Sequence, residues 1–338
     1  MKTKSTWLAL LMLAVLLLLA ACGSGDKASD KTDEKKEEAT TTGDADKAYV
    51  IGISQIVEHP SLNAATEGFK KALEESGLQV TFDEQVAQGD NSLNTTIATN
   101  FVSSGVDLIF ANSTPSAQAA AGQTTDIPII FTSVTDAVGA QLIDAMEAPG
   151  KNITGTIDLH PDTIKNTVAF LKEELGAETI GMVYNAGEQN SVAQIDQVKE
   201  EAEKVGLKVE EASASNSSEV KQASESIVNK VDAFYIITDN TVVSALESVI
   251  DVADGAKKPL IVGELDSVER GGLAAYGFSY EDLGYEAGQM AVKVLKGEAK
   301  IEELAAQHPQ NLKLVVNKKA ADALDLDIKE DWGAEVIN

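Results

Sequence analysis

The residues able to do chemistry in this chain gather in six polar loops, each placed directly after a short apolar run. In the first half these are Ser54-Gln55-Ile56-Val57-Glu58-His59-Pro60, Ala111-Asn112-Ser113-Thr114-Pro115 and Thr132-Ser133-Val134-Thr135-Asp136. In the second half they are Tyr184-Asn185-Ala186-Gly187-Glu188-Gln189-Asn190-Ser191, Thr238-Asp239-Asn240-Thr241 and Gly263-Glu264-Leu265-Asp266-Ser267. Hydroxyls, amides and carboxylates in such numbers suit the hydrogen-bonded capture of a small polar molecule. Asp239 follows a wholly apolar run and is expected to be half-buried. A carboxylate there is costly unless a cation or several donors meet it; the competing role is N-cap of a helix beginning near Val242. Ser113-Thr114-Pro115 reads as a helix start, with Thr114 as N-cap and Pro115 in the first helical position. Its free N–H groups would favour an anionic group, with plain capping as the alternative.

The chain offers no set of groups for catalysis. It has no G-x-x-x-x-G-K phosphate loop, no G-x-G-x-x-G after a strand and no G-x-S-x-G elbow. The 3 histidines, His59, His160 and His308, sit beside prolines without metal-ligand spacing, and only His59 is placed to touch a ligand. Carboxylate pairs such as Glu74-Glu75 and Glu200-Glu201 fall mid-helix and read as solvated faces. Cys22 is the single cysteine, which excludes disulfides within the chain and thiol or Cys-metal chemistry in the body. No cofactor is expected.

Those loops must be positioned by strands and helices, and a repeat with an offset of 129 residues supplies them. Tyr49-Val50-Ile51-Gly52-Ile53, a helix over Ser61 to Ser76 and Gly77-Leu78-Gln79-Val80 return as Thr179-Ile180-Gly181-Met182-Val183, a helix over Ser191 to Val205 and Gly206-Leu207-Lys208-Val209. Val106 to Phe110 matches Val231 to Ile236, and Ile127 to Phe131 matches Lys258 to Val262. Runs that are apolar on both faces fit parallel strands covered by helices on both sides. Two doubly wound α/β lobes follow, with the six loops meeting in one cleft beyond the strand ends. Leu273 to Phe278 is a further strand, Glu281 to Lys296 a long helix, Leu312 to Asn317 a strand and Lys318 to Leu324 a short helix.

Ahead of this body lie two other segments. Lys2 and Lys4 precede an apolar run from Trp7 to Ala21, too short to span a bilayer comfortably and typical of an export signal. Residues 23–47 hold no aliphatic side chain larger than alanine and no aromatic, so a disordered tether is expected over 22–47. The formal charge is −27, or −29 once Lys2 and Lys4 leave with the signal, and it repels nucleic acid and anionic lipid.

Several of these stretches resemble known proteins. Leu19-Ala20-Ala21-Cys22-Gly23 is similar to the lipobox of bacterial lipoproteins, which implies cleavage after residue 21 and a lipid anchor on Cys22, at the extracytoplasmic face of the membrane. Gly52 to Pro60, Ala87-Gln88-Gly89-Asp90, Phe131 to Asp136, Tyr184 to Ser191, Thr238 to Thr241 and Arg270-Gly271-Gly272-Leu273-Ala274 resemble ABC transporter substrate-binding lipoproteins of the tryptophan-binding group. The resemblance runs from about Tyr49 to Leu326. It implies a type I periplasmic binding protein fold, a permease and an ATPase as partners, a monomer and no catalysis. It also implies three chain crossings between lobes, near Gly155–Asp158, Phe278–Tyr280 and His308–Asn311. Lobe I is then expected over 48–156 with 280–308, and lobe II over 157–279 with 309–338.

Members of that group with an assigned ligand take aromatic amino acids. For such a zwitterion Asp239 is the expected ammonium partner, with Asn240 and Asn185 as amide neighbours. Ser113, Thr114, Ser133 and Thr135 are the expected carboxylate donors, and Gln55, Ile56 and Tyr184 bound the side-chain space. A sugar or nucleoside ligand on the same fold is the alternative, as is an adhesin or sensory lipoprotein without transport.

Overall fold

The computed structural model describes residues 47–338; Cys22, the signal and all but the end of the tether lie outside the described residues. The first half runs β1 (Ala48–Gln55), α1 (Pro60–Glu75), β2 (Gln79–Val86), α2 (Asn91–Ser104), β3 (Leu108–Asn112), α3 (Thr114–Gln123), β4 (Ile129–Val134) and β5 (Ile153–Ile157). Its five strands pair in the order β2-β1-β3-β4-β5, all parallel. β3, β4 and β5 are buried throughout, which is why their sequences are continuous apolar runs rather than alternating ones.

The second half runs α4 (Thr163–Ala169), β6 (Thr179–Tyr184), α5 (Gln189–Val205), β7 (Lys208–Ser213), α6 (Val220–Ile227), β8 (Ala233–Ile236), α7 (Asn240–Ser244), α8 (Leu246–Gly255), β9 (Leu260–Val262), α9 (Leu265–Arg270) and β10 (Ala274–Gly277). After α10 (Tyr280–Leu295) come β11 (Lys313–Asn317), α11 (Lys318–Ala323) and β12 (Glu335–Ile337). The second sheet has the order β12-β11-β10-β9-β8-β6-β7, with only β10 and β11 antiparallel. Each sheet carries an apolar core on both faces, so the repeat does give two doubly wound lobes.

The chain passes between the sheets after β5, between β10 and α10, and again before β11. α10 packs along α1 of the first lobe, and glycines make that contact close. A Cβ on Gly68 would collide with the Glu281 carbonyl, and one on Gly284 with the Ala65 carbonyl. Two passages are stitched together, because Ile157 N donates to Gln307 O at 2.7 Å and Gln307 N to Gly155 O at 3.0 Å.

Candidate functional site

The strand ends of the two lobes face each other, and two cavities lie between them. The inner one, only about 10 Å³, is lined by His59, Leu62 and Ser133 from the first lobe and by Thr238, Asn240, Val243 and Glu264 from the second. Asp158 and Tyr280, at two of the chain passages, complete it. The outer one is more open, about 100 Å³, and joins Ile56, Gln88 and Pro115 to Asn185, Glu188 and Thr241 across the lobes. Both volumes lie well below the roughly 300–1,000 Å³ usual for small-molecule sites, so the cleft is nearly shut and a ligand of amino-acid size fits only with the lobes further apart. Among the described residues no lysine or arginine lines either cavity. Arg270, the only arginine of the chain, is instead bound to Glu247 by two contacts of 2.9 Å.

Backbone geometry aims the first-lobe side chains. Gln88, Ser113 and Ser133 hold φ of 54°, 120° and 55°, a region that non-glycine residues enter at a cost of about 1–3 kcal/mol. Ser133 sits where the β4–β5 register shifts, so the chain swings its side chain out of the ladder. Its hydroxyl is buried without a partner beside the inner cavity; that of Thr114, at the start of α3, is buried and unpartnered too but lines neither cavity. The cap of α3 is Ser113 rather than Thr114: Ser113 Oγ accepts from Ser116 N at 3.2 Å, and Pro115 is the second helical residue. The earlier cap follows from the positive φ at Ser113, which turns the helix one residue sooner.

Four buried carboxylates face this region, and their partners differ. Asp239 has no exposure and is held by Asn185 N at 2.7 Å, Ser191 Oγ at 2.6 Å and Val242 N at 2.7 Å. It caps α7, which begins at Asn240, and lines neither cavity. The expected ammonium partner is thus occupied in tying two second-lobe loops together. Burial and the nearby Glu188 charge push its pKa up. Glu188 accepts from Asn240 N and Nδ2, from Thr241 N and Oγ1, and from the Asn185 and Asn190 side-chain amides. Glu264 caps α9, accepting from Ser267 N and Oγ, and takes Ser61 Oγ from the opposite lobe at 2.5 Å. Asp158 has two side-chain partners, Thr135 Oγ1 at 3.0 Å and Tyr280 Oη at 2.8 Å. Burial raises the Asp158 carboxyl to about 6 and raises Glu264 as well. His59, pushed down to about 3 by burial and the charge of Arg270, is a neutral ring; with Nδ1 facing Leu62 N at 3.5 Å, its proton belongs to Nε2.

Of the residues singled out from sequence, Ser133 and Asn240 line the inner cavity, while Ile56, Asn185 and Asn240 line the outer one. Thr135 stands behind Asp158 and also takes Gln194 Nε2 of the second lobe at 3.4 Å. Gln55 turns into the first lobe, bound to Asn63, Thr66 and Asn112, and Tyr184 donates to Glu211 at 2.9 Å on the outer edge. Neither lines either cavity. Asp158, Glu264 and Tyr280 at the inner cavity and Glu188 at the outer one are not among the residues singled out from sequence. Asp158 and Tyr280 were visible only as polar groups at expected crossings, and the two glutamates as members of polar loops.

Residues 50–335 match the family described as ABC transporter substrate binding protein. The chain belongs to this family. The substrate-binding protein is 41% identical over 314 residues to the tyrosine-binding protein of Clostridioides difficile strain R20291, covering 91% of this chain and 88% of the relative. It also matches the ABC domain of Streptococcus pneumonia in complex with L-Trp, at 35% identity and a TM-score of 0.82, over 86% of this chain and 100% of that one. With a ligand-free, open substrate-binding protein with adhesive properties from Clostridium difficile the identity is 41% but the TM-score only 0.65, over 86% of this chain and 99% of that one. The lobes of the substrate-binding protein therefore stand nearer to the arrangement seen around L-Trp than to the open form. Its fold is that of the type I periplasmic binding proteins, and no described helix is long and apolar enough to cross a membrane.

Proposed function

We propose that this protein captures a free aromatic L-amino acid in the inner cavity and delivers it, chemically unchanged, to the permease and ATPase of an ABC importer. The lining carries the reading: a buried carboxylate with few partners stands beside an unpartnered hydroxyl, with no lysine or arginine among the described residues of the lining and His59 neutral. A zwitterion supplies what such a lining needs, a cation for the carboxylate and an anion for the hydroxyl and N–H donors. Asp158 takes the ammonium, the role first given to Asp239, and Ser133 and the His59 ring N–H serve the carboxylate. Asn240, which lines both cavities, closes over the ligand from the second lobe, and Ile56 and Asn185 guard the outer opening. The names of the relatives support the ligand class, since one is a tyrosine-binding protein and another holds L-Trp. A diacylated Cys22 would hold the protein at the extracytoplasmic face of the membrane.

Calorimetry of the purified protein against the twenty amino acids and a panel of sugars tests the assignment. Tyrosine or tryptophan should bind at micromolar or tighter Kd. A sugar binding that tightly, with no heat from any aromatic amino acid, would retire the ligand class and leave the fold intact.

A further inference from the structure

The inner cavity has a second buried carboxylate that a simple zwitterion does not use. We propose that Glu264 reads the ring of the bound amino acid and demands a hydrogen-bond donor on it, so that the site accepts a phenol or an indole and rejects a plain phenyl ring. The assignment rests on the aromatic amino-acid reading above.

The α-carbon end of the ligand is fixed first. Ammonium and carboxylate share one carbon, so their receivers must be neighbours. Ser133 and Asp158 are neighbours: Asp158 N donates to Val134 O at 3.0 Å, and Thr135 Oγ1 reaches Asp158 Oδ1 at 3.0 Å. Both belong to the exits of β4 and β5. Glu264 lines the same cavity from the exit of β9, in the other lobe, and is 2% exposed. A ligand anchored at Ser133 and Asp158 has Glu264 as the buried carboxylate that faces the same cavity from the other lobe, with Leu62 and Val243 as apolar members of the lining.

Charge balance decides what the ligand's side chain must bring. The single ammonium is spent at Asp158, and no lysine or arginine among the described residues lines the cavity. Every partner Glu264 already has is neutral, two serine hydroxyls and one backbone N–H. A carboxylate has about four acceptor sites, and a neutral O–H or N–H fits the one left without adding charge. A tyrosine hydroxyl or an indole N–H provides it. Phenylalanine would seal the carboxylate under a ring with nothing to donate, and sites built to hydrogen-bond a substrate group discriminate strongly against analogues that lack it.

Affinities of tyrosine, tryptophan and phenylalanine for the full-length protein and two variants test this. In the native protein phenylalanine should bind at least about 100-fold more weakly than the better of the other two. Glu264→Met should bring that ratio to within about tenfold, and the shape-keeping Glu264→Gln should reduce it; any general loss of folding or closure weakens all three ligands alike and leaves the ratio readable. Ser61→Ala, which removes the inter-lobe partner but keeps the carboxylate, should preserve the ratio. Phenylalanine binding as tightly as tyrosine and tryptophan in the native protein, or a ratio unmoved in both Glu264 variants, would overturn the role of Glu264 alone. Silence from all three ligands would instead remove the aromatic amino-acid reading, and this one with it.

Discussion

Asp158 accepts the fewest hydrogen bonds of the four buried carboxylates, two against three or more, and the cost of that falls on the unliganded protein. Its carboxyl is raised to about 6, mainly by burial, against hydroxyl hydrogen bonds that act the other way. The folded state therefore holds this proton more tightly than the unfolded chain does. Its contribution to stability is complete below about pH 4 and is lost as the pH rises through about 6. An ammonium ligand needs the ionised form, so binding should follow the opposite course. The affinity should fall about tenfold for each pH unit below 6, with proton release visible as a buffer-dependent heat. Asp158→Asn should flatten that slope and weaken binding at pH 7 by about 30-fold or more. A slope that survives the substitution would take the ammonium away from Asp158. Asp239 shows why this residue was hard to read in advance. Both aspartates follow buried strands, and sequence cannot tell which one the chain's own donors satisfy. Asn185 N and Ser191 Oγ reach Asp239 from a loop some fifty residues earlier, and only the folded second lobe brings them there.

At the scale of helices and strands the repeat was legible because buried parallel strands must be apolar on both faces and helix ends need their glycines. Gly206 ends α5 with φ 68°, as the pattern of the second copy predicts. Elements that exist only through a partner were not legible. β12 is three residues long, with Glu335 and Val336 exposed, and it is a strand because β11 pairs with it. The bend at Ser133 has no side-chain signature at all. The α1–α10 contact, which rests on Gly68, Gly284 and Gly288, makes a sharp demand. Gly284→Ala should cost about 1–3 kcal/mol, since its methyl meets the Ala65 carbonyl rather than a side chain that can move. Gly255→Ala, with open space around it in α8, should leave the melting temperature unchanged or raised. Thermal unfolding of the two variants side by side checks the pair. Equal melting temperatures would mean that the two helices can separate without loss.

For the molecule as a whole, attachment and assembly are separate matters. If Cys22 carries the anchor, two acyl chains hold the protein firmly, at about 0.8 kcal/mol per buried CH₂. Cys22→Ser should then release it from the membrane fraction or leave an uncleaved precursor. Normal processing with full membrane retention would dispose of the lipid anchor. The chain's formal charge of −27 repels anionic surfaces whichever way the body is attached.

The contact between α1 and α10 also bears on how the protein comes into being. α1 ends at Glu75 and α10 begins at Tyr280. A ribosome or an export channel delivers the first helix long before the second. Until then Phe69 and Leu73 lack part of the cluster they share with Ala287, Met290 and Ala291. The amino-terminal half cannot mature as it emerges, in spite of coming first. It must wait, sticky and incomplete, for a helix made after most of the other half, and contacts so distant along a chain form slowly. Holding chaperones would find their target there, and a fragment cut after β5 should aggregate rather than fold.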